Sequence, residues 1–356
     1  MPTAATSDAD ASSEFALIAR LTAALPRSAA VALGIGDDAA VLDWQAETQL
    51  VATCDALVEG RHFLRASATA EQIGRRALAV NLSDIAAMGA EPLFALVSLI
   101  LPAATDAAWL DDLYRGLRAE AEAFGVVIVG GNIAATAGPL IVDVTLLGQV
   151  ARGRALTRSG ARAGDRLWVT GTVGAAAAGL LTLLAPRPTD GPNVGPALEG
   201  AIEIVRAAHL VPVPRVAEGR ALAAAGAATA MLDISDGLAA DLGHLCTRSQ
   251  VGAVVEAAAL PVAPATAAVA RAYGRDPLDL ALFGGEDYEL LFTAAPDADE
   301  RVLAAVQTAG GTARAIGWIV AGEPEAEGGA LRLRQADGTD RALPARGWDH
   351  LRDASA

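Results

Sequence analysis

Five separated segments set carboxylates beside glycine or at the end of short apolar runs: Gly34-Ile35-Gly36-Asp37-Asp38, Cys54-Asp55, Asn81-Leu82-Ser83-Asp84, Asp233-Ile234-Ser235-Asp236-Gly237 and Gly284-Gly285-Glu286-Asp287-Tyr288. Two carboxylates about 4 Å apart repel by roughly 4 kcal/mol at an effective dielectric of about 20, so a fold that gathers several destabilises itself unless cations join them. Oxygen-only donors of this kind suit Mg²⁺, and magnesium held by carboxylates generally serves to grip phosphate. Each motif alone fits helix capping or structural calcium equally well; the five together, in this order, argue for a shared site.

The charge balance narrows the partners. A net charge of −15 disfavours nucleic acid or an anionic membrane as the main partner, since both need a basic surface. All 27 basic residues are arginine. Without lysine, P-loop enzymes, protein kinases with a strand lysine and Schiff-base chemistry are excluded; genomic composition bias also accounts for the missing lysines. Cys54 and Cys246 are too few for a disulfide framework, which points to a reducing cytoplasm. Met1 to Ser12 has no basic residue and no apolar core, so no secretory signal is expected. The longest apolar stretch, Pro92 to Thr105, is shorter than a spanning helix, so no membrane segment is expected either.

At 356 residues, 53% of them hydrophobic, the chain suits two globular domains of ordinary size. Arg152 to Gly164 is rich in arginine and glycine without apolar periodicity, and places the junction between domains at 14–150 and 161–350. In the first domain, helical spacing over Glu14 to Leu25 and a strand-and-loop over Ala32 to Val41 precede a strand from Leu50 to Cys54 that ends at Asp55. Thr69-Ala70-Glu71-Gln72 is a capping box opening a helix through Ile73, Ala77, Val80 and Ile85, on which Asn81 and Asp84 share a face, with Gly89 as its end. Strands follow over Leu93 to Leu101, over Val126 to Val129 entering a Gly130-Gly131-Asn132 turn, and over Leu140 to Val150, with a helix over Asp106 to Phe124. The second domain opens with a strand, Arg166 to Thr170, and a Gly171-Thr172-Val173-Gly174 turn before an alanine-rich helix; this fits either a phosphate cradle or plain turn chemistry. A proline- and glycine-rich loop over Arg187 to Pro196, helices over Ala197 to Ala208, Arg215 to Ala225 and Leu238 to Thr247, and a strand over Ala228 to Ile234 come next. The chain closes with a strand over Tyr288 to Thr293, a helix over Asp297 to Ala309 and strands over Ala315 to Ile319 and Leu331 to Arg334, so the fold class is α/β (α+β).

GIGDDAAV, CDALVEGRHF, NLSDIAAMGAEP, VGGN, ALTRSGARAGDRLWVTG, DISDGL, GGEDYELLF and RGWDHL together resemble the thiamine-monophosphate kinase family, within the aminoimidazole ribonucleotide synthetase-like superfamily, from Glu14 to Leu351. The resemblance implies a two-domain α/β protein, a homodimer whose amino-terminal mixed sheets join into a barrel, and ATP-dependent conversion of thiamine monophosphate to thiamine diphosphate. It implies Asp38, Asp55, Asp84, Asp233 and Asp236 as ligands of Mg²⁺ ions that bridge the ATP phosphates, with Asn132 a further ligand or phosphate contact. Some family members carry aspartate at the Asn132 position; asparagine keeps a ligand oxygen and gives up a charge. Cys54 departs from a common threonine, while Thr53 still supplies a hydroxyl. Gly131, Arg158 and Ser235 are implied as nucleotide contacts, and His62, Glu286 and Trp348 as the thiamine phosphate surround, an indole face suiting a cationic thiazolium ring.

On the residues alone, His62 also fits an ordinary core or surface histidine, Trp348 a tail anchor, Arg158 a solvated linker arginine, and Glu286 and Asp287 a turn cap. No protein nucleophile is expected, because the acceptor phosphate is already anionic and phosphoryl transfer relies on positioning and charge neutralisation. Rival readings are another ATP-using enzyme of the superfamily, a maturation factor or a non-catalytic nucleotide-binding protein. A selenophosphate synthetase would show a reactive cysteine near a glycine-rich amino terminus, and a carbamoyl-carrying maturation factor a carboxyl-terminal cysteine; Met1 to Arg20 and Asp353-Ala354-Ser355-Ala356 show neither.

Overall fold

The structure is a computed structural model that describes residues 31–33, 37–186, 188, 195–322 and 331–348. The helix expected over Glu14 to Leu25, the first three residues of GIGDD, most of the loop over Arg187 to Pro196 and the last residues of RGWDHL lie outside the described residues.

The first sheet has the order β1-β2-β3-β6-β4-β5. Its strands are β1 (Val31–Leu33), β2 (Ala40–Asp43), β3 (Thr48–Val58), β4 (Glu91–Pro102), β5 (Val127–Thr136) and β6 (Ile141–Ala151). Neighbours run antiparallel except β4 and β5, which are parallel and joined by the crossover helix α2 (Ala107–Phe124). The second sheet, order β13-β12-β9-β11-β7-β10-β8, comprises β7 (Arg166–Thr170), β8 (Ala230–Asp233), β9 (Val251–Glu256), β10 (Leu290–Ala294), β11 (Ala313–Ala321), β12 (Leu331–Arg334) and β13 (Asp340–Ala342). Around it lie α3 (Ala175–Leu184), α4 (Pro196–Leu210), α5 (Val216–Ala225), α6 (Leu238–Ser249), α7 (Pro264–Ala272), α8 (Pro277–Phe283) and α9 (Asp299–Thr308).

Between the two sheets runs α1 (Ala70–Ala87). The capping box forms as expected: Gln72 N–H donates to Thr69 Oγ1 at 3.2 Å and Thr69 N–H to Gln72 Oε1 at 2.9 Å. Most of the helix surface is covered, which accounts for apolar residues around most of its circumference. Ile73, Leu78, Leu82 and Ile85 join a core that includes Val51, Val97, Leu99, Val142 and Val144 of the first sheet and Trp168, Met231, Leu290 and Phe292 of the second. Each such side chain contributes about 1.5–3 kcal/mol through burial. α1 and α2 cross at two glycines: a Cβ on Gly74 would lie 2.0 Å from the Leu113 carbonyl oxygen, and one on Gly116 2.0 Å from that of Glu71.

Two elements run longer than the sequence suggests. β3 pairs with β6 as far as Val58 opposite Ile141, so Asp55 lies within the strand rather than at its end. β5 passes straight through Gly130-Gly131-Asn132, paired with β4. Glycine is needed at 131 for close approach: a Cβ there would sit 1.8 Å from the Val97 carbonyl oxygen.

Candidate metal centre and substrate pocket

The acidic segments converge on one end of α1. Asp38 follows the turn before β2, Asp84 sits in the last turn of α1 and Asp233 closes β8. One carboxylate oxygen from each lies within 4.8 Å of the others. α1 orients the set with three neighbouring side chains. The Asp84 carboxylate accepts the Thr53 hydroxyl, the Asp233 carboxylate accepts the Ser83 hydroxyl, and Asn81 Oδ1 accepts the Asp55 N–H at 3.1 Å. Asp55 is exposed beside this trio, and its charge reaches both Asp84 and Asp233.

The electrostatics are those of a site short of positive charge. Burial, then the Asp55, Asp233 and Asp38 charges, push the Asp84 carboxyl well above its ordinary range. Burial and Asp38 push Asp233 up to about 8. Asp37, whose carboxylate accepts the N–H groups of Arg158 and Asp38, rises to about 7 through burial and its Asp38 neighbour. Arg158 Nη2 pairs with Asp38 Oδ1 at 2.5 Å, the one cation that reaches the trio among the described residues. Burial opposes its charge, but Asp38 and Asp37 more than restore it, and the guanidinium stays protonated. Asp38 Oδ2 is left buried without a hydrogen-bond partner. Hard oxygen donors with an orphaned buried carboxylate oxygen fit divalent magnesium.

The turn after β8 links this cluster to a second group of polar side chains, around Glu286. Asp236, half-buried, stands beyond the trio, and its N–H and that of Gly237 donate to Asp241 Oδ2 at 3.2 and 3.0 Å. Ser235 carbonyl oxygen accepts the Glu286 N–H at 2.7 Å, and Asp236 carbonyl oxygen accepts the Trp348 N–H at 3.1 Å. Glu286 and Trp348, 62 residues apart in the sequence, thus hang from adjacent residues of one turn. Trp348 is exposed. Burial works against ionised Glu286, but Arg76, His209 and His62 bring its carboxyl down to about 2. His62, in the turn after β3, accepts the Val58 N–H at Nδ1 at 3.0 Å, which only the neutral tautomer protonated at Nε2 can do.

Glu286 and Asp287 divide the work the sequence left open between them. Asp287 turns to the start of α3 and accepts the N–H groups of Gly174 at 2.7 Å and Ala176 at 3.3 Å. The anion at the Gly171-to-Gly174 turn is therefore the chain's own carboxylate, and the turn is structural. Gly131 and Asn132 lie apart from the cluster. Register runs Ala56 to Asp143 to Ser98 to Asn132 across β3, β6, β4 and β5, which puts Asn132 on the sheet face opposite the one carrying Asp55.

Sequence reasoning passed over Asn81, Ser83, Asp37, Asp241, Arg76 and His209. The first four lie inside or beside the quoted motifs and could have been found there as hydroxyl, amide and carboxyl partners. Arg76 and His209 meet Glu286 only through the fold.

Comparison with known proteins agrees with this geometry. The family described as AIR synthase related protein matches with its N-terminal domain over residues 36–150 and its C-terminal domain over residues 162–328. Thiamine-monophosphate kinase of Escherichia coli K12 is 42% identical over 79% of this chain and 82% of its own length. That of Synechococcus elongatus is 37% identical over 89% and 91%. A solved structure described as AaThiL complexed with AMPPCP and TMP covers 98% of this chain and 100% of its own, at 33% identity and a TM-score of 0.80. Thiamine-monophosphate kinase from Stenotrophomonas maltophilia K279a covers 91% and 96%, at 40% identity and a TM-score of 0.71. With two matching domains, a shared core around α1 and relatives of up to 42% identity along most of its length, the chain belongs to the thiamine-monophosphate kinase family of AIR synthase related proteins.

Proposed function

We propose that this chain transfers the γ-phosphoryl group of ATP to thiamine monophosphate, giving thiamine diphosphate and ADP. The observation that carries the proposal is the convergence of Asp38, Asp84 and Asp233 from distant segments, with Asp38 Oδ2 buried and unpartnered. The family supports the substrates: the relatives are thiamine-monophosphate kinases, and one relative's structure is described with AMPPCP and TMP. Asp38, Asp55, Asp84, Asp233 and Asp236 are the residues that would hold Mg²⁺, which when bound supplies charge neutralisation for the polyphosphate.

The chain's own groups do the rest. Arg158, Ser235 and Thr53 bind the nucleotide phosphates beside the trio. Glu286, His62 and the Trp348 ring receive the thiamine moiety and point its phosphate at the γ-phosphorus. An oxygen of that phosphate attacks in line, the new P–O bond forms as the bond to the ADP oxygen breaks, and no general base is needed because the nucleophile is already anionic. Two polyanions meet in a protein of net charge −15, so several cations accompany them.

The reading extends to a homodimer in a cytoplasmic setting. Phe94 and Leu96 on β4 and Val127, opposite Phe94 on the edge strand β5, are exposed large apolar groups on one face of the sheet. A second copy covering that sheet face would close a barrel and is the route by which Gly131 and Asn132 enter an active site. Both described cysteines are free, and among the described residues no helix is long and apolar enough to cross a membrane.

The direct test is to incubate purified protein with ATP, Mg²⁺ and thiamine monophosphate and to quantify thiamine diphosphate alongside ADP. Stoichiometric formation of both is expected. Free phosphate without the diphosphate product would assign the chain to a different reaction.

A further inference from the structure

Arg76 belongs to no functional motif of the sequence, yet it is 2% exposed and spans the two halves of the molecule. From the second turn of α1 its Nη2 donates to Glu286 Oε1, and its Nη1 to the His209 carbonyl oxygen at the end of α4. Glu286 is held at other points as well. Its N–H is fixed by Ser235, its second carboxylate oxygen lies 3.1 Å from His209 Nδ1, and its φ of +59° is in the left-handed region that a non-glycine residue keeps only when its surroundings insist. The carboxylate is nonetheless partly open to solvent: its side chain is 27% exposed, against 3% for Arg76.

The same helix governs the other end of the site. Seven and eight residues beyond Arg76, or about 10–12 Å along the axis, Ser83 grips Asp233 and Asp84 joins the trio. One largely buried helix therefore holds both the carboxylate cluster and Glu286.

We propose that Arg76 is a positioning residue for the phosphoryl acceptor, fixing Glu286 in place and setting its distance from the carboxylate trio. The inference rests on the kinase reading, with Glu286 as the contact to thiamine monophosphate. The planar guanidinium fork reaches Glu286 and the His209 carbonyl at once; a lysine ammonium in the same space keeps the charge and loses the simultaneous grip.

The test uses full-length Arg76→Met, Arg76→Lys, Glu286→Gln and the double variant Arg76→Met with Glu286→Gln, measured by calorimetric binding of thiamine monophosphate and by steady-state kinetics. Arg76→Met is expected to raise KM for thiamine monophosphate by about tenfold or more and to weaken its binding in step. KM for ATP and the Mg²⁺ requirement stay within about twofold, because only the acceptor end has been released. Arg76→Lys falls between wild type and Arg76→Met, and the double variant is no worse than the poorer single variant, since the two residues act as a unit. An unchanged KM for thiamine monophosphate, equal increases for both substrates, or full additivity in the double variant would overturn the proposal. Should Arg76→Met fail to fold, Arg76→Lys carries the same comparison with the buried charge retained. Wild-type protein that binds no thiamine monophosphate would remove the kinase reading itself, an outcome separable from the others because it precedes any substitution.

Discussion

Asp84 and Asp55 can each be converted to asparagine with little change of shape, so they separate charge from structure. Asparagine at 84 still offers an oxygen to the Thr53 hydroxyl, while the repulsion from Asp55, Asp233 and Asp38 that burdens this carboxyl is relieved. Asp84→Asn and Asp55→Asn should therefore lower turnover by about two or more orders of magnitude while the Mg²⁺-free protein unfolds at the same temperature or higher. Near-normal kinase activity in both variants would contradict the metal assignment. The same charges set a pH dependence. Asp233 rises from 3.8 to about 8 through burial and Asp38, and a carboxyl raised in the folded state favours the fold while protonated. That contribution is complete below about pH 4 and is lost progressively as pH rises to about 8, so Mg²⁺-free protein should lose stability between about pH 4 and pH 8. Cations bind the ionised form, so the increase in unfolding temperature on adding Mg²⁺ should grow across the same window; a constant increase would show that Asp233 is not titrating there. The acidic residues were legible in the sequence because a hard cation needs oxygen donors and few other roles gather so many. Arg76 and His209 were not legible, because 210 residues separate Arg76 from Glu286 and no local pattern encodes such a pairing.

α1 is the element on which the site depends, and its closest contact offers a test. Alanine at Gly74 gains up to about 1 kcal/mol of helix propensity in isolation. Here its Cβ would fall 2.0 Å from the Leu113 carbonyl oxygen, a backbone atom that moves only if α2 moves. Overpacking of this kind costs roughly 1–3 kcal/mol, so the clash outweighs propensity and Gly74→Ala should be less stable in urea unfolding. A more stable variant would show slack between α1 and α2. The sequence announced α1 well, through its capping box and its apolar repeat. It was less informative where partners decide an element's length: Asp55 reads as a strand end and Gly130-Gly131-Asn132 as a turn, but pairing with β6 and β4 carries both strands onward. β9, α7 and α8 were not read from the sequence, although Pro264 and Pro277 at the helix starts and the Asp276 cap of α8 are local start signals.

For the molecule as a whole, the first sheet presents its two faces very differently. Ala95, Val97 and Leu99 alternate into the core, while Phe94 and Leu96 face outward at 41% exposure each, next to Val127 on the edge strand at 55%. An antiparallel sheet with a solvated outer face normally places polar residues there, and a contiguous apolar patch marks a surface that is covered. Burying the part of each of these side chains that is still exposed would contribute roughly 1 kcal/mol toward holding two copies together. Leu96→Glu leaves the monomer's own core untouched, since residue 96 already points away from it. The expected result is a folded protein with unchanged helical content that elutes and scatters as a monomer where the wild type is a dimer. If Gly131 and Asn132 serve the active site across that contact, kinase activity should fall with the dimer fraction and recover as protein concentration rises. A wild-type chain that remains monomeric at micromolar concentration and is fully active would refute the barrel, and would leave the open sheet face without a role in the reaction.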